Sequence, residues 1–514
     1  MTRAERFRAR GGDEGAARLP TADPATRRAS DLLWLAASTA LAGVFVLKLV
    51  LGMGVVDPGR WTSTGIATAA VGFHSENRAV GEGYYAELGK AFLQGQTYFD
   101  RELHPDLRTH PNPWGSDAFR RGIILMDASY FGGRYYLYFG PSPVIAVYLP
   151  FLLVTSHFPS DALVVTALGL FYAMSVALLL RAVLPRRRWE FLPLFCLAVA
   201  NPPLIKSLAT VQNVHGVSRA FAGASLVVAA AAALALVRGV RESAPGGVGP
   251  VLLPAAAAGS FVALAASARL SALPDAVGIV AFGAIAILAA RRGVDRVGFR
   301  SMTALAAPLV LTLAALAAYN FARFGSPFET GLRFQTNGLD FVHGEPLVRP
   351  PRDAVAFVLN LGYRAYEYFG ALPEFEAGGR LRVTYATRSP FVSGAYSEGA
   401  IGLLAWAPIV LYVPIVAGVT FARGLRSGVH RLELAFLALA SLAFATNFVV
   451  VSSMPITAFH YLLELLPRLA WVVVATLAVD PDAFAFGRER PVRSVALGLT
   501  AALCAGGLLA DHLA

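Results

Sequence analysis

Charge is scarce in this sequence. Of its 514 residues 15% are Asp, Glu, Lys or Arg, against 56% hydrophobic, and the mean hydropathy is +0.56. A soluble domain carries about 25% charged and about 45–50% apolar residues. A soluble enzyme of this composition would leave far too much apolar surface in water. Cysteine is nearly absent too: Cys196 and Cys504 both lie inside apolar segments, which argues against a disulfide framework and a zinc site. A Gly-rich phosphate loop and a serine nucleophile elbow are also missing, and no polar segment is large enough for a cytoplasmic nucleotide-sugar domain.

What remains is a series of long apolar blocks separated by short Arg-bearing turns. Blocks such as Ala220–Val237 and Thr303–Ala322 approach the ~20 residues that a helix needs to cross a bilayer. The net charge of +11 does not signal nucleic acid, because the arginines cluster between blocks: Arg186-Arg187-Arg188, Arg291-Arg292, and Arg423 with Arg426. That is the positive-inside pattern, which places those turns in the cytoplasm. The expectation is an all-α polytopic membrane protein of about eleven crossings, or twelve at most.

Residues 1–30 read as a polar cytoplasmic tail. The first span, Leu32–Val56, starts too deep for a signal peptide and stays as an anchor. Further spans are expected at 160–184, 189–207, 217–238, 250–270, 275–291, 303–322, 398–421, 432–451, 457–479 and 491–511. The apolar stretch 138–155 carries Pro141, Pro143 and Pro150, which weaken it as a straight spanning helix. Placing it in the interface keeps every Arg-rich turn cytoplasmic and puts two polar stretches, 57–136 and 323–397, on the outer face. The chain thus divides into the tail, a module over 31–322, the second outer loop, and a C-terminal set of spans over 398–514.

Candidate chemistry concentrates in these loops. The first holds Glu76, Glu82 and a helical stretch Tyr84–Gln94, then Asp127 within Asp127-Ala128-Ser129-Tyr130-Phe131-Gly132-Gly133-Arg134-Tyr135-Tyr136. Carboxylates beside aromatics at an interface can have raised proton affinity, which suits a general base, and they can equally be solvated loop charges. In the second loop Arg333, Arg349, Arg352 and Arg364 could clamp a phosphate, or form a mixed surface with Asp340, Glu345, Asp353 and Glu367. Residues 353–371 read as a second amphipathic helix. Arg134, Tyr135 and Gln335 stand in the two loops, and His215 stands in a short outer turn. His460, Tyr461 and Glu464 open a late span; His460 and Glu464, four residues apart, would share a helix face at membrane depth, where ionisable groups are functional by default. His104, Asp106 and His110 match no standard ligand spacing, so no metal or other cofactor is expected, and a need for a divalent ion stays open.

This layout resembles the polytopic glycosyltransferases of the GT-C superfamily, such as the protein O-mannosyltransferases and the lipid A aminoarabinose transferase. Similar features are the outer loop after the first span, its short helix over Glu82–Gln94, the proline-bearing segment after Gly140, and the second outer loop. The stretches DASYFGGRYYLYFGPSP and RFGSPFETGLRFQ are similar to those of bacterial membrane proteins grouped with these transferases. The resemblance implies a bacterial cytoplasmic-membrane enzyme that takes a sugar from a polyprenyl-phosphate donor to a glycan, lipid or protein acceptor. It implies an outer-loop carboxylate as base. Where the family has an acidic pair, this chain has the isolated Glu76 and Glu82, and further on Asp127. Arg333 or another second-loop arginine would take the phosphate; Gln335, Arg134, Tyr135, His215, His460, Tyr461 and Glu464 would line the substrate. The alternatives are a lipid-linked glycan polymerase, ligase or flippase, and a secondary transporter, although inverted repeats are not visible.

Overall fold

The computed structural model describes residues 43–44, 47, 50–51, 61–63, 83–184, 191–200, 204–205, 208, 213–242, 249–291, 296–338, 340–343, 354–370, 374–375, 381–382, 396–397, 402–427, 431–453, 456–457, 461–484 and 491–510. The chain divides into the units Met1–Gly43 and Val44–Ala514, and every element below lies in the second.

That unit is built almost entirely of helices. In chain order those of seven residues or more are α1 (Tyr84–Leu93), α2 (Leu149–Thr155), α3 (Asp161–Val183), α4 (Phe191–Ala198), α5 (Val214–Glu242), α6 (Gly249–Ala268), α7 (Leu273–Arg291), α8 (Arg296–Phe324), α9 (Ala354–Ala365), α10 (Tyr412–Ser427), α11 (Arg431–Ser452), α12 (Leu462–Val479) and α13 (Pro491–Ala510). Among the described residues eight helices are long and apolar enough to cross a membrane: α3, α5 to α8, α10 together with the 3₁₀ turn Pro408–Leu411 that leads into it, α11 and α12. This is the architecture of a multi-pass membrane protein. Each of the eight answers one of the expected spans. The expected span at Leu32–Val56 lies largely outside the described residues, and the one at 189–207 contains the short α4. The last, at 491–511, is helical as α13.

Residues 138–155 do not make a spanning helix. A π turn over Val144–Tyr148 runs into α2, and the apolar helix from Val144 to Thr155 is too short to cross. Leu153 and Val154 are more than four-fifths exposed on it. Helix α1, expected to be amphipathic, is buried along most of its length, with Tyr84, Tyr85 and Leu88 inside. Its start is tied to α3 through Asp161, which is itself buried: the Gly83 amide donates to Asp161 Oδ2 (3.0 Å) and the Tyr148 hydroxyl donates to Oδ1. One acid thus joins α1, the π turn and the start of α3.

Close helix crossings depend on small residues. A Cβ on Gly259 of α6 would lie 2.2 Å from the Leu305 carbonyl oxygen of α8, and one on Gly223 of α5 would lie 2.9 Å from Pro467 of α12. Glycine lets apolar helices approach where no hydrophobic effect drives them together.

Strands β1 (Ser129–Phe131) and β2 (Arg134–Tyr136) pair antiparallel across Gly132-Gly133, whose φ values of 57° and 74° suit a two-residue hairpin turn. This hairpin packs on the chain that follows α8. The Phe131 ring is 4.6 Å from Phe334 and 5.6 Å from Phe324, and the Tyr136 ring is 5.2 Å from Phe324. The Ser129 hydroxyl donates to the Gly331 carbonyl (2.7 Å), Thr336 N to Ala128 O (2.8 Å), and buried Arg323 to the Leu137 carbonyl. The two stretches singled out in the sequence, 127–143 and 323–335, therefore form one packed unit at one end of the bundle.

Candidate functional site

Asp127 opens the hairpin with φ 57°, a left-handed conformation uncommon outside glycine. Its amide donates to the Thr336 carbonyl (3.1 Å), which fixes it against the second loop. Its carboxylate is buried. Gln335 Nε2 donates to Oδ1 at 3.0 Å, and His215 Nε2 lies 3.2 Å from Oδ2. Gln335 Nε2 also lies 3.0 Å from the Tyr138 hydroxyl, which is 3.3 Å from His215 Nε2. His215 is placed by the start of α5, where the Asn213 side chain accepts from the His215 and Gly216 amides (3.0 and 3.3 Å). A helix N-terminus favours a nearby anion.

The raised proton affinity expected for a carboxylate among aromatics is not found at Asp127, because its surroundings keep it ionised. Burial alone would raise its proton affinity. The His215 imidazole, hydrogen bonds from His215 and Gln335, and the charge of Arg219 outweigh burial and hold it below the ordinary carboxylate range. The Tyr138 hydroxyl is pushed the other way, by burial first and the Asp127 charge second, and stays protonated.

One turn beyond His215 on α5 is Arg219, which begins a second buried group. Its Nε lies 3.1 Å from Glu464 Oε1, and Arg269 reaches the same oxygen with Nε at 2.7 Å and a terminal nitrogen at 2.5 Å. The Arg219 guanidinium lies over the Tyr461 ring (4.7 Å) and that of Arg269 over the Phe139 ring (5.1 Å). Phe139 in turn meets the His215 ring edge-on at 5.2 Å, so the two groups are continuous. Arg468, a turn into α12, donates to the Glu464 carbonyl (2.6 Å) and pairs with Asp275 of α7. Arg219 is 2% exposed, and among the described residues one of its terminal nitrogens has no hydrogen-bond partner. A buried guanidinium edge of this kind can donate to an anionic oxygen with no rearrangement of the Glu464 contacts.

Of the expected site residues, Asp127, His215 and Gln335 come together, with Tyr461 and Glu464 in the adjoining group. Arg333 does not join them: it is exposed and donates to the Val342 carbonyl (3.4 Å). Arg134 is exposed and stacks on Tyr98 (4.0 Å), and the Tyr135 hydroxyl accepts from the Leu125 amide (2.9 Å). Both hold the loop together. Glu76, Glu82 and His460 lie outside the described residues. Tyr138, Arg219 and Arg269 were not singled out in the sequence, although a lone arginine inside or beside an apolar block is a signal for each of the two cations. Among the described residues no group of three or more side chains is arranged to hold a metal ion. No family model matches the chain, and neither a curated protein nor a solved structure does.

Proposed function

We propose that the protein is a membrane glycosyltransferase of the bacterial cytoplasmic membrane, with the Asp127 group and the Arg219–Arg269 pair as the two halves of one active site. The donor is a sugar on a polyprenyl phosphate, and the acceptor is a hydroxyl of an envelope glycan, lipid or protein, reached from the outer face. The acceptor oxygen attacks the anomeric carbon while its proton passes to Asp127. The bond from that carbon to the phosphate oxygen breaks, and its electron pair leaves with the phosphate, which Arg219 and Arg269 neutralise. Attack in line with the leaving group inverts the anomeric centre. His215, Gln335 and Tyr138 fix Asp127 for this role. Glu464 holds both arginines through one carboxylate oxygen, so that this pair and not Arg333 presents positive charge.

One observation carries the reading: a carboxylate held ionised and a buried guanidinium with a free edge lie in one continuous polar network, between helix ends of an apolar bundle. A non-glycine residue in a left-handed conformation at that carboxylate adds support, because such strain collects at functional sites. The test is transfer of radiolabelled sugar from a polyprenyl-phosphate carrier in proteoliposomes. Asp127→Asn keeps the shape and removes the base, so transfer should fall by about 10²–10⁴-fold with the thermal midpoint unchanged. Full transfer by the variant would remove Asp127 from the role, and coupled solute and ion flux without transfer would make the protein a transporter.

A further inference from the structure

Helix α9 and the π turn that continues it, Tyr366–Gly370, turn their apolar face outward. Val355 (68% exposed), Val358 (65%), Leu359 and Tyr366 face away from the bundle, while Asn360, Arg364, Glu367 and Tyr368 are buried. An outward apolar face on an apolar bundle is a surface for lipid. The inward face runs along the last turns of α11. Asn360 Nδ2 donates to the Ser452 carbonyl (3.0 Å), and further along the Phe369 ring lies 6.2 Å from Phe444 and 6.0 Å from Phe448. This antiparallel register runs the stretch from Arg364 to Tyr368 along α11 between Ser452 and Phe444.

The seam so formed is short of partners. Arg364 donates from one terminal nitrogen to Glu367 (2.6 Å), but among the described residues its Nε and second terminal nitrogen find no partner. Neither do the Tyr368 hydroxyl, both amide atoms of Asn447 or the Ser452 hydroxyl, and all of these atoms are buried. Buried polar atoms are nearly always hydrogen-bonded, so such a concentration calls for an explanation. Every one of these atoms except Asn447 Oδ1 can donate. A matching ligand is therefore rich in acceptors, and a guanidinium with two open N–H edges fits phosphate oxygens.

We propose that the seam between α9 and α11 binds the phosphate headgroup of a membrane lipid, admitted from the lipid side. Arg364 and Asn447 hold the phosphate, Tyr368 and Ser452 complete its hydrogen bonds, and the acyl chains lie against Val355, Val358 and Leu359. The site shares no residue with the Asp127 group or the Arg219–Arg269 pair, although Tyr461 and Glu464 lie close enough to act electrostatically on Tyr368, and lipid labelling is read independently of sugar transfer.

The test uses the full-length protein in phosphatidylcholine nanodiscs and a phosphatidic acid carrying a diazirine near its glycerol end. After irradiation, cross-linked peptides should fall within 354–370 and 444–453. Unlabelled phosphatidic acid should compete, whereas diacylglycerol and inorganic phosphate should not. Arg364→Gln removes the buried ion pair with Glu367 and can unfold the seam, so Asn447→Leu is the deciding variant. It should lower labelling at least threefold with the thermal midpoint retained. Labelling confined to other peptides, equal competition by diacylglycerol (a purely apolar groove) or by inorganic phosphate (a free-anion site), or full labelling of Asn447→Leu would each overturn the proposal.

Discussion

At Asp127 two opposing effects meet, and their balance predicts a pH profile. Burial favours the protonated acid; His215, Gln335 and Arg219 favour the anion and prevail. A carboxylate whose proton affinity is lowered on folding keeps its charge above the unfolded value and loses it only as pH falls through the lowered one. Transfer should therefore hold steady from neutral pH into the ordinary carboxylate range near about 4. In Gln335→Leu the anion loses one of its hydrogen bonds, so its proton affinity rises and the acid limb should move to higher pH. Rates measured across the acid range decide this, and superimposable limbs in the two proteins would exclude Asp127 as the group that titrates. The residues of this site were legible in the sequence one at a time and not as a set. Asp127 and Gln335 stood in loop segments picked out for their composition, but nothing in linear order says that Gln335, 208 positions away, meets Asp127. Arg219 and Arg269 were passed over because single arginines at the rim of apolar blocks read as orientation signals, whereas burial against Glu464 gives them a different role.

Elements were easier to read than contacts. Each of the eight long apolar helices announced itself as a block near bilayer length, since lipid on all sides removes the need for a finer pattern. Prolines marked 138–155 correctly as something other than a span, and the structure resolves it into a π turn and a short helix. The β-hairpin went unpredicted, although Gly132-Gly133 between aromatic residues is a hairpin signal of the ordinary kind. The segment that joins this hairpin to the short helix makes its own prediction. Gly140 packs so closely on α6 that a Cβ there would lie 1.3 Å from the Ser267 carbonyl oxygen. Backbone cannot yield as a side-chain tip can. Gly140→Ala should therefore push the chain bearing Tyr138 and Phe139 away from Arg269, at a cost of about 1–3 kcal/mol for overpacking. Thermal unfolding in detergent and transfer activity should fall together, and a variant with wild-type values in both would mean that the contact is looser than its geometry.

Across the whole molecule, the network links helix ends that are far apart in sequence. Asp161 at the start of α3 meets Gly83; His215 at the start of α5 meets Asp127; Arg269, just after α6, meets Glu464 at the start of α12; and Arg323 at the end of α8 meets Leu137. Starts of α3, α5 and α12 and ends of α6 and α8 thus gather at one end of the bundle. If these helices cross the bilayer, the chain must return to that same side each time, which is the alternation the arginine-rich turns call for independently. Asn112 Nδ2 bonds Asp340 Oδ2 at 2.5 Å, so the two polar stretches touch directly. The consequence is testable without any substrate. Single cysteines at Asp117 and His343, both exposed, should react with a membrane-impermeant maleimide added outside intact cells, whereas one at Arg426, at the far end of α10, should react only after permeabilisation. The two native cysteines are buried and should contribute little background. Labelling of Asp117→Cys and His343→Cys from opposite sides is incompatible with the hydrogen bonds between their segments. Labelling of both from the cytoplasm would turn the site inward and take it away from an acceptor in the envelope, and the transferase reading would fail even though the fold stood.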